Sequence, residues 1–338
     1  MRFAMQPIVS IILPSYNDLS YLETTLRSIT AQTFTNFELI IVDDGSSDET
    51  PVRLRSLIAS DTRLRYARRQ RGGVGAARNT GLEQARGRFI AFVDADDLLH
   101  PTFLHTLVNA AENSQADVVQ CWMHGFADGT PCNFPPTYTV AGKGMAGLDG
   151  LRALLTGELP VSVCSRLYRR ESMGSMRFAE GLVYEDLEFS VRLMASVTRV
   201  QIVPLALYGN RQRQRGIRAQ YAPFLVEDRI TILQRVKDTL QQSQHWPALR
   251  PEFQQLAVRF LGREGFKDLI RDQSLDEFLY QRLLSSLRLD GELTLGLLRK
   301  LPLAPGERKW VGLPLLHPSL GRTFLNFQLR RRLKRSKA

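Results

Sequence analysis

Four clusters of residues in this chain could do chemistry. The stretch Arg88–Leu99 reads RFIAFVDADDLL, an apolar run from Phe89 to Val93 that breaks into Asp94, Asp96 and Asp97. Such a run is the mark of a buried strand. Acids at its carboxyl end lie where open α/β sheets bind ligands. Like charges this close repel, and a cation among them relieves the cost. Hard divalent ions are commonly held by one or two carboxylates plus substrate phosphates. A metal–phosphate site at a strand tip is one reading; a solvated acidic turn capping the next helix is the other. A second acidic pair, Asp43-Asp44, follows the run Phe37–Val42 and is suited to hydrogen-bonding a base or ribose, or to capping a turn. The third cluster is Gly72-Gly73-Val74-Gly75 with Arg78 one helical turn on. Its spacing is not GxGxxG, so a dinucleotide fingerprint is disfavoured. The turn still lets backbone approach a phosphate. The fourth cluster is Glu185-Asp186, at or just before the amino end of a periodic segment, where the helix dipole favours a carboxylate. A general base must be ionised and in reach of its proton, and a helix amino end helps with the first; a helix-capping acid is the other reading of this pair, and taken alone the pair favours it.

These residues need elements to position them. Runs at Ile8–Leu13, Phe37–Val42, Leu64–Ala67, Phe89–Val93 and Asp117–Trp122 predict strands. Between them lie helical stretches, the first opened by the capping-box pattern Ser20-x-x-Glu23 and another entered through Asp48. Strands alternating with helices predict an α/β fold with a mostly parallel sheet. The two acidic pairs then share one sheet edge, because parallel strands present their carboxyl ends on the same side. Phe126–Gly147 is polar and rich in Gly and Pro, and reads as a connecting loop or lid. Val161–Tyr168 and Arg199–Leu207 predict further strands, the second followed by a loop holding Arg211, Arg213, Arg215 and Arg218. From Pro223 the pattern turns helical, over about 223–242, 251–271 and 275–288, with Ser274-x-x-Glu277 as a second capping box. Pro302–Gly321 reads as extended. The expected division is a catalytic domain over 1–220 (a nucleotide-binding half 1–124 and an acceptor half 125–220), a helical extension 221–301, and a linker with basic tail 302–338.

The formal net charge of +11 points to an anionic partner. Gly321–Ala338 holds seven Lys/Arg and no acid, with Phe324, Phe327, Leu329 and Leu333 among them. Aromatic plus basic residues suit an anionic membrane surface, so 319–338 is a candidate peripheral anchor. No aromatic–basic interleaving of a nucleic-acid module is present, and no nucleic acid is expected. Cys121, Cys132 and Cys164 form no CxxC pattern, which disfavours zinc and a disulfide framework. The five histidines form no HxxxH or HExxH pair. No apolar run approaches the ~18 residues of a membrane span. A cytoplasmic protein, attached to the inner membrane face if at all, is the expectation.

The segments VSIILPSYND, QTFTNFELIIVDDGSSDET and GGVGAARNTGLEQARGRFIAFVDADDLLHP, in this order and spacing, resemble the family 2 glycosyltransferases of GT-A fold. The likeness runs from about Ile8 to Thr102 and resumes from Val163 to Arg215 with VCSRLYRR, GLVYEDLEFSVRL and LYGNRQRQRG. It implies inverting transfer of a sugar from a nucleotide-sugar donor, usually a UDP-sugar, to a hydroxyl of a glycan or lipid-linked acceptor. By that resemblance Pro14 and Tyr16 line the base pocket, Asp44 binds uracil with Asp43 beside it, and Arg78 stands near the nucleotide. Asp94-Ala95-Asp96 matches the family's DxD motif. Asp96 would hold Mn²⁺ or Mg²⁺ against the diphosphate, and Asp94 would help with ribose or metal. Asp186 matches the catalytic base, with Glu185 supporting the acceptor. One of Arg211, Arg213 or Arg215 would bind the diphosphate. The chain departs from the family there, because the usual serine-containing sequence is replaced by RQRQRGIR. Two other readings compete. A nucleotidyltransferase of similar fold carries a Gly-rich basic loop after its first strand, where this chain has PSYND. A non-catalytic nucleotide- or glycan-binding protein would hydrolyse no donor.

Overall fold

The structure, a computed structural model, describes residues 6–59, 61–135, 142–213, 223–269, 276–288 and 317–335, with a few single positions between 298 and 315. The chain divides into two compact units, Met1–Gly150 with Val161–Gln214, and Leu151–Pro160 with Arg215–Ala338.

The first unit is a nine-stranded mixed sheet flanked by helices. Its strands are Val9–Ser15 (β1), Phe37–Asp43 (β2), Leu64–Arg68 (β3), Phe89–Phe92 (β4), Leu98–Leu99 (β5), Val118–Ala127 (β6), Lys143–Ala146 (β7), Arg166–Arg169 (β8) and Arg199–Gln212 (β9). The order is β3-β2-β1-β4-β8-β6-β9-β5, with β7 pairing β9. The first four strands in that order are parallel. They are joined by helices Leu19–Thr30 (α1), Thr50–Ile58 (α2) and Val74–Gln84 (α3). β1, β2 and β4 are buried along their whole length, as continuous apolar runs in parallel sheets require. Pro14 is tolerated in central β1 because its register lies past Ile12↔Phe92, the last pair with β4. Its missing N–H therefore removes no ladder bond on that side. Beyond β4 the pairing turns antiparallel at β4–β8 and β8–β6, and parallel again at β6–β9. Phe92, Tyr168, Phe178 and Phe189 pack beneath this junction, Phe178 stacked on Phe189 with centroids 4.0 Å apart.

Several local expectations are corrected. Helix α1 begins at Leu19 with Asp18 at its N-cap, so Ser20 lies inside the helix and the Ser20/Glu23 box does not form. The second box fails likewise: helix Glu277–Leu287 is capped by the Asp276 side chain, which accepts from Leu279 N, and Ser274 lies outside the described residues. Phe126–Gly147 is not wholly a loop, since β6 runs to Ala127 and β7 takes up Lys143–Ala146. Val161–Tyr168 is strand only from Arg166. β9 runs to Gln212, so Arg211 is a strand residue rather than a loop residue. Long-range pairing extends these strands, which a local pattern cannot report. Pro302–Gly321 is not extended throughout, since helix Pro318–Arg335 takes up its end; Arg215, Arg218 and most of 302–317 lie outside the described residues.

The second unit is helical: Pro223–Gln242, Trp246–Ala257 running through a π-helical stretch Val258–Gly265 into Phe266–Leu269, then Glu277–Leu287 and Pro318–Arg335. Its core holds Leu225, Val236, Phe253, Leu261, Phe266 and Leu283, all fully buried. Buried Arg229 pairs with Asp268 at 2.7 Å. Among the described residues no helix is long and apolar enough to cross a membrane.

Candidate active site

β1, β2 and β4 are parallel, so the ends of β2 and β4 open on one edge of the sheet. Asp43 closes β2 and is buried. Its carboxylate accepts from Ser46 N (2.8 Å) and from the Tyr66 hydroxyl (2.8 Å). Burial and that bond to Asp43 push the Tyr66 phenol up to about 12, so it remains the donor. Asp44 accepts from Arg69 Nη1 (2.6 Å), Gly72 N (3.0 Å) and Gly73 N (2.7 Å). The glycine turn thus gives the N–H groups of Gly72 and Gly73 to Asp44. Gly73, at φ 89°, makes that geometry possible. Tyr16 follows β1, and the Arg71 guanidinium lies 3.5 Å from its ring centroid.

Gly75 lets α3 approach the chain at Ala179, where an added Cβ would stand 2.6 Å from the Ala179 carbonyl oxygen. One turn later Arg78 emerges, its side chain almost wholly buried. Nη1 donates to Glu185 Oε1 (2.7 Å) and Asp186 Oδ1 (2.6 Å), and Nη2 to Asp94 Oδ1 (3.0 Å). Burial opposes the Arg78 charge, but Asp186, Asp94 and Glu185 outweigh it and hold the guanidinium firmly protonated. The next residue, Asn79, exchanges two bonds with the Phe178 backbone and donates to Glu180. Arg78 and Asn79 together fix the chain that leads into helix Glu185–Ser196. Tyr184 enters that helix in the left-handed region at φ 71°, and Glu185 and Asp186 are its first two residues. Asp186 also accepts from Val163 N (3.3 Å). Burial and then the Asp186 charge push Glu185 up to about 7, against the pull of Arg78.

The end of β4 is organised by β9. Tyr208 accepts from Asp94 N (3.1 Å) and donates to Asp97 Oδ2 (2.8 Å). Asp97 also takes Arg211 N (2.8 Å), and burial followed by its acidic neighbours raises its carboxyl well above the usual range. Asp97 is therefore a structural acid that locks the turn. The Arg211 side chain donates to the Asp96 carbonyl (2.8 Å), reaches Asp128 (3.3 Å) and lies between the rings of Tyr21 and Phe126. Arg213 pairs with the Asp96 carboxylate and, at 3.0 Å, with Asp18. Burial and the Asp94 charge push Asp96 up to about 6, opposed by Arg213.

The structure thus gathers Asp94, Arg78, Glu185 and Asp186 through one guanidinium, and Asp96 with Arg213 beside them. Asp43, Asp44, Pro14 and Tyr16 lie at the ends of the neighbouring strands. Sequence reasoning missed Asp18, Asn79, Tyr208, Arg69 and Arg71. Asn79 carried a signal, a polar residue beside Arg78 on a helix facing the core. The others follow from pairings distant in sequence. Cys121 and Cys164 are buried free thiols, and Cys132 is half-buried.

Residues 10–175 match the family model described as Glycosyl transferase family 2. The putative glycosyltransferase EpsH of Bacillus subtilis is 29% identical over 257 residues, 75% of this chain and 74% of that protein. The uncharacterized glycosyltransferase YibD of Escherichia coli is 30% identical over 206 residues, 59% of this chain and 60% of that protein. Among solved structures, S. aureus TarS 1–349 in complex with UDP-GlcNAc superposes with TM-score 0.68 at 22% identity, covering 97% of this chain and 91% of that one. The mannosyltransferase PcManGT from Pyrobaculum calidifontis, in complex with GDP-Man and Mn²⁺, gives TM-score 0.57 at 17% identity, covering 96% and 88%.

Proposed function

Because this chain is a family 2 glycosyltransferase of GT-A fold, we propose that it moves a hexosyl or N-acetylhexosaminyl group, with inversion, from a UDP-sugar to a hydroxyl of a glycan or lipid-linked acceptor. The observation that carries this reading is the Arg78 guanidinium, which ties Asp94 at the end of β4 to Asp186 at a helix amino end. Donor side and acceptor side are thereby built as one unit.

In this mechanism Asp186 takes the proton of the attacking hydroxyl. That oxygen bonds to the anomeric carbon as the bond to the diphosphate oxygen breaks, and its electron pair leaves with the nucleoside diphosphate. The helix amino end and Arg78 Nη1, 2.6 Å from Asp186 Oδ1, both set positive charge beside that carboxylate. Burial and then the Asp186 charge raise Glu185 against the pull of Arg78, which places it as the supporting acid of the pair and not as the base. Tyr16 gives the base a ring to stack on, and Asp44, with Asp43 behind it, offers the remaining acceptor capacity of its carboxylate to uracil. Fold neighbours were solved with UDP-GlcNAc and with GDP-Man, so both nucleotides belong in the test and UDP is the first choice.

The fold also implies Mn²⁺ or Mg²⁺, and the donor set fits. Asp96 is raised to about 6 by burial and by Asp94 beside it, a repulsion that a cation relieves. Among the described residues no group of three ligating side chains is preassembled. An ion of this kind takes one or two carboxylates and completes its shell with phosphates and water. Asp96, with Asp94, would hold it, and when bound it would supply Lewis-acid stabilisation of the leaving diphosphate.

A thermal-shift panel of UDP- and GDP-sugars with and without Mn²⁺ tests the reading. A cognate donor at 100 times its Kd adds about 2.7 kcal/mol to stability. Asp96→Ala is expected to abolish the Mn²⁺-dependent part of that shift. A protein that neither shifts with any nucleotide-sugar nor hydrolyses one with Mn²⁺ is a non-catalytic relative.

A second observation favours work at a membrane surface. Helix Pro318–Arg335 exposes Leu320 and Phe327, each by more than half, beside a run of arginines. Side chains beyond 328 lie outside the described residues. Each basic residue near an anionic leaflet contributes about 1 kcal/mol. Deleting 319–338 is expected to release the protein from anionic vesicles in a flotation assay; unchanged flotation would remove the tail from this role.

A further inference from the structure

Arg213 differs from its neighbour Arg211 in what it does. Arg211 is tied to a backbone carbonyl, to Asp128 and between two aromatic rings, and its side chain is only 10% exposed. Arg213 is 25% exposed, and its guanidinium rests 4.2 Å from the Tyr21 ring centroid. It divides itself between two carboxylates, Asp96 and Asp18. Asp18 is placed for this. It stands at the N-cap of α1, yet its side chain makes no capping bond; Oδ2 accepts from Tyr16 N at 3.0 Å and Oδ1 faces Arg213. The turn after β1 therefore aims one carboxylate at the guanidinium that covers the end of β4.

We infer that Arg213 is a resident counter-cation, moored by Asp18, that occupies the Asp96 carboxylate and moves onto the donor diphosphate when metal and donor arrive together. The inference rests on the glycosyltransferase reading above for the identity of the diphosphate. A guanidinium and a divalent ion compete for the same carboxylate oxygens. A free ion must displace Arg213 without giving it a new anion, so it binds weakly. A diphosphate supplies that anion, and guanidinium–phosphate pairing is bidentate and charge-assisted. Because Asp18 holds the other side of the guanidinium, Arg213 stays within a side-chain rotation of the site instead of swinging into solvent. Asp18 is thus a positioning residue: it acts on the donor through Arg213. Metal binding becomes conditional on donor, and the acidic strand end is neutralised in between.

The test is binding, not turnover. Free Mn²⁺ is titrated into donor-free protein and read by electron paramagnetic resonance, and UDP binding is measured separately by calorimetry at fixed Mn²⁺. Arg213→Gln is expected to tighten Mn²⁺ alone by about fivefold, the worth of a partly exposed ion pair. The same variant is expected to weaken UDP by about tenfold or more, the worth of a hydrogen bond to a charged group. Arg213→Lys retains the competing charge and is expected to stay near wild type for Mn²⁺ alone. Asp18→Asn keeps the acceptor for Tyr16 N, leaves Arg213 to Asp96 alone, and is expected to weaken both Mn²⁺ and UDP. Opposite signs for Arg213→Gln in the two titrations support the exchange. Unchanged or weaker Mn²⁺ binding in Arg213→Gln overturns it. If wild type binds Mn²⁺ but no UDP, the glycosyltransferase reading fails while the Mn²⁺ comparison still judges the counter-cation.

Discussion

Asp186→Asn lowers transfer by about 10²–10⁴-fold, the usual contribution of a general base, while donor affinity remains close to wild type. The amide is nearly isosteric with the carboxylate. Its oxygen still accepts from Val163 N or from Arg78 Nη1, so the helix start at Glu185 and the position of Arg78 are kept. Two things are lost: the charge, and the ability to take a proton. Donor contacts proposed for Asp96, Asp44 and Tyr16 do not pass through this side chain. The effect therefore falls on turnover and not on donor binding, which initial rates at saturating donor and calorimetry with UDP-sugar separate. Near-normal turnover would remove Asp186 from the role of base and leave Glu185, whose carboxyl sits near 7, as the next group to test.

Arg78→Met is the second large effect, and it is read in stability. The Arg78–Glu185 pair is buried on both sides, with side-chain exposures of 3% and 8%. Removing one partner of such a pair strands the other charge and costs about 3–5 kcal/mol. Asp94 is more than a third exposed and Asp186 a fifth, so water compensates them in part and they add less. The urea midpoint should fall with the slope of the transition unchanged. Arg78→Lys keeps one charge but loses the fork that reaches Glu185 and Asp186 with one nitrogen and Asp94 with another. It is expected to recover only part of the midpoint. A wild-type midpoint in Arg78→Met would mean that the three carboxylates repel too little to need a counterion. The same variant also tests the coupling of the two halves of the site, because Arg78 bonds both Asp94 and Asp186.

The parallel half of the sheet was legible in the amino-acid sequence because β1, β2 and β4 are apolar runs buried on both faces, and each run ends at an acid or a turn. Asp43, Asp44 and Asp94 through Asp97 stand at those ends, and a strand end is a local feature. The antiparallel half was less legible. β5 is two residues long and β7 four, too short to carry a period, and both exist because β9 pairs with them. Capping boxes misled twice, for different reasons. Asp276 precedes Glu277 and its side chain takes the N-cap, as aspartate does as readily as serine, whereas α1 begins one residue before Ser20 with no side-chain cap at all. Asp18 itself is engaged by Tyr16 N and Arg213, partners two and 195 residues away. The second of those separations is why sequence reasoning passed it over. The glycine turn reads as a backbone approach to a phosphate; in the structure the N–H groups of Gly72 and Gly73 bond Asp44, a partner 28 and 29 residues away that a local motif does not report.

The division of the chain has a consequence for its synthesis. Leu151–Pro160 belongs with the second unit although the first resumes at Val161. Leu151, Leu154 and Leu155 are almost fully covered, Arg152 pairs with Glu252, and Arg259 donates to the carbonyls of Leu155 and Thr156. Their partners emerge from the ribosome about a hundred residues later. At ~5–20 residues per second that is a wait of several seconds. Throughout it Arg152 and the carbonyls of Leu155 and Thr156 wait without those partners, and a fragment that ends before Glu252 carries Leu151–Pro160 without them.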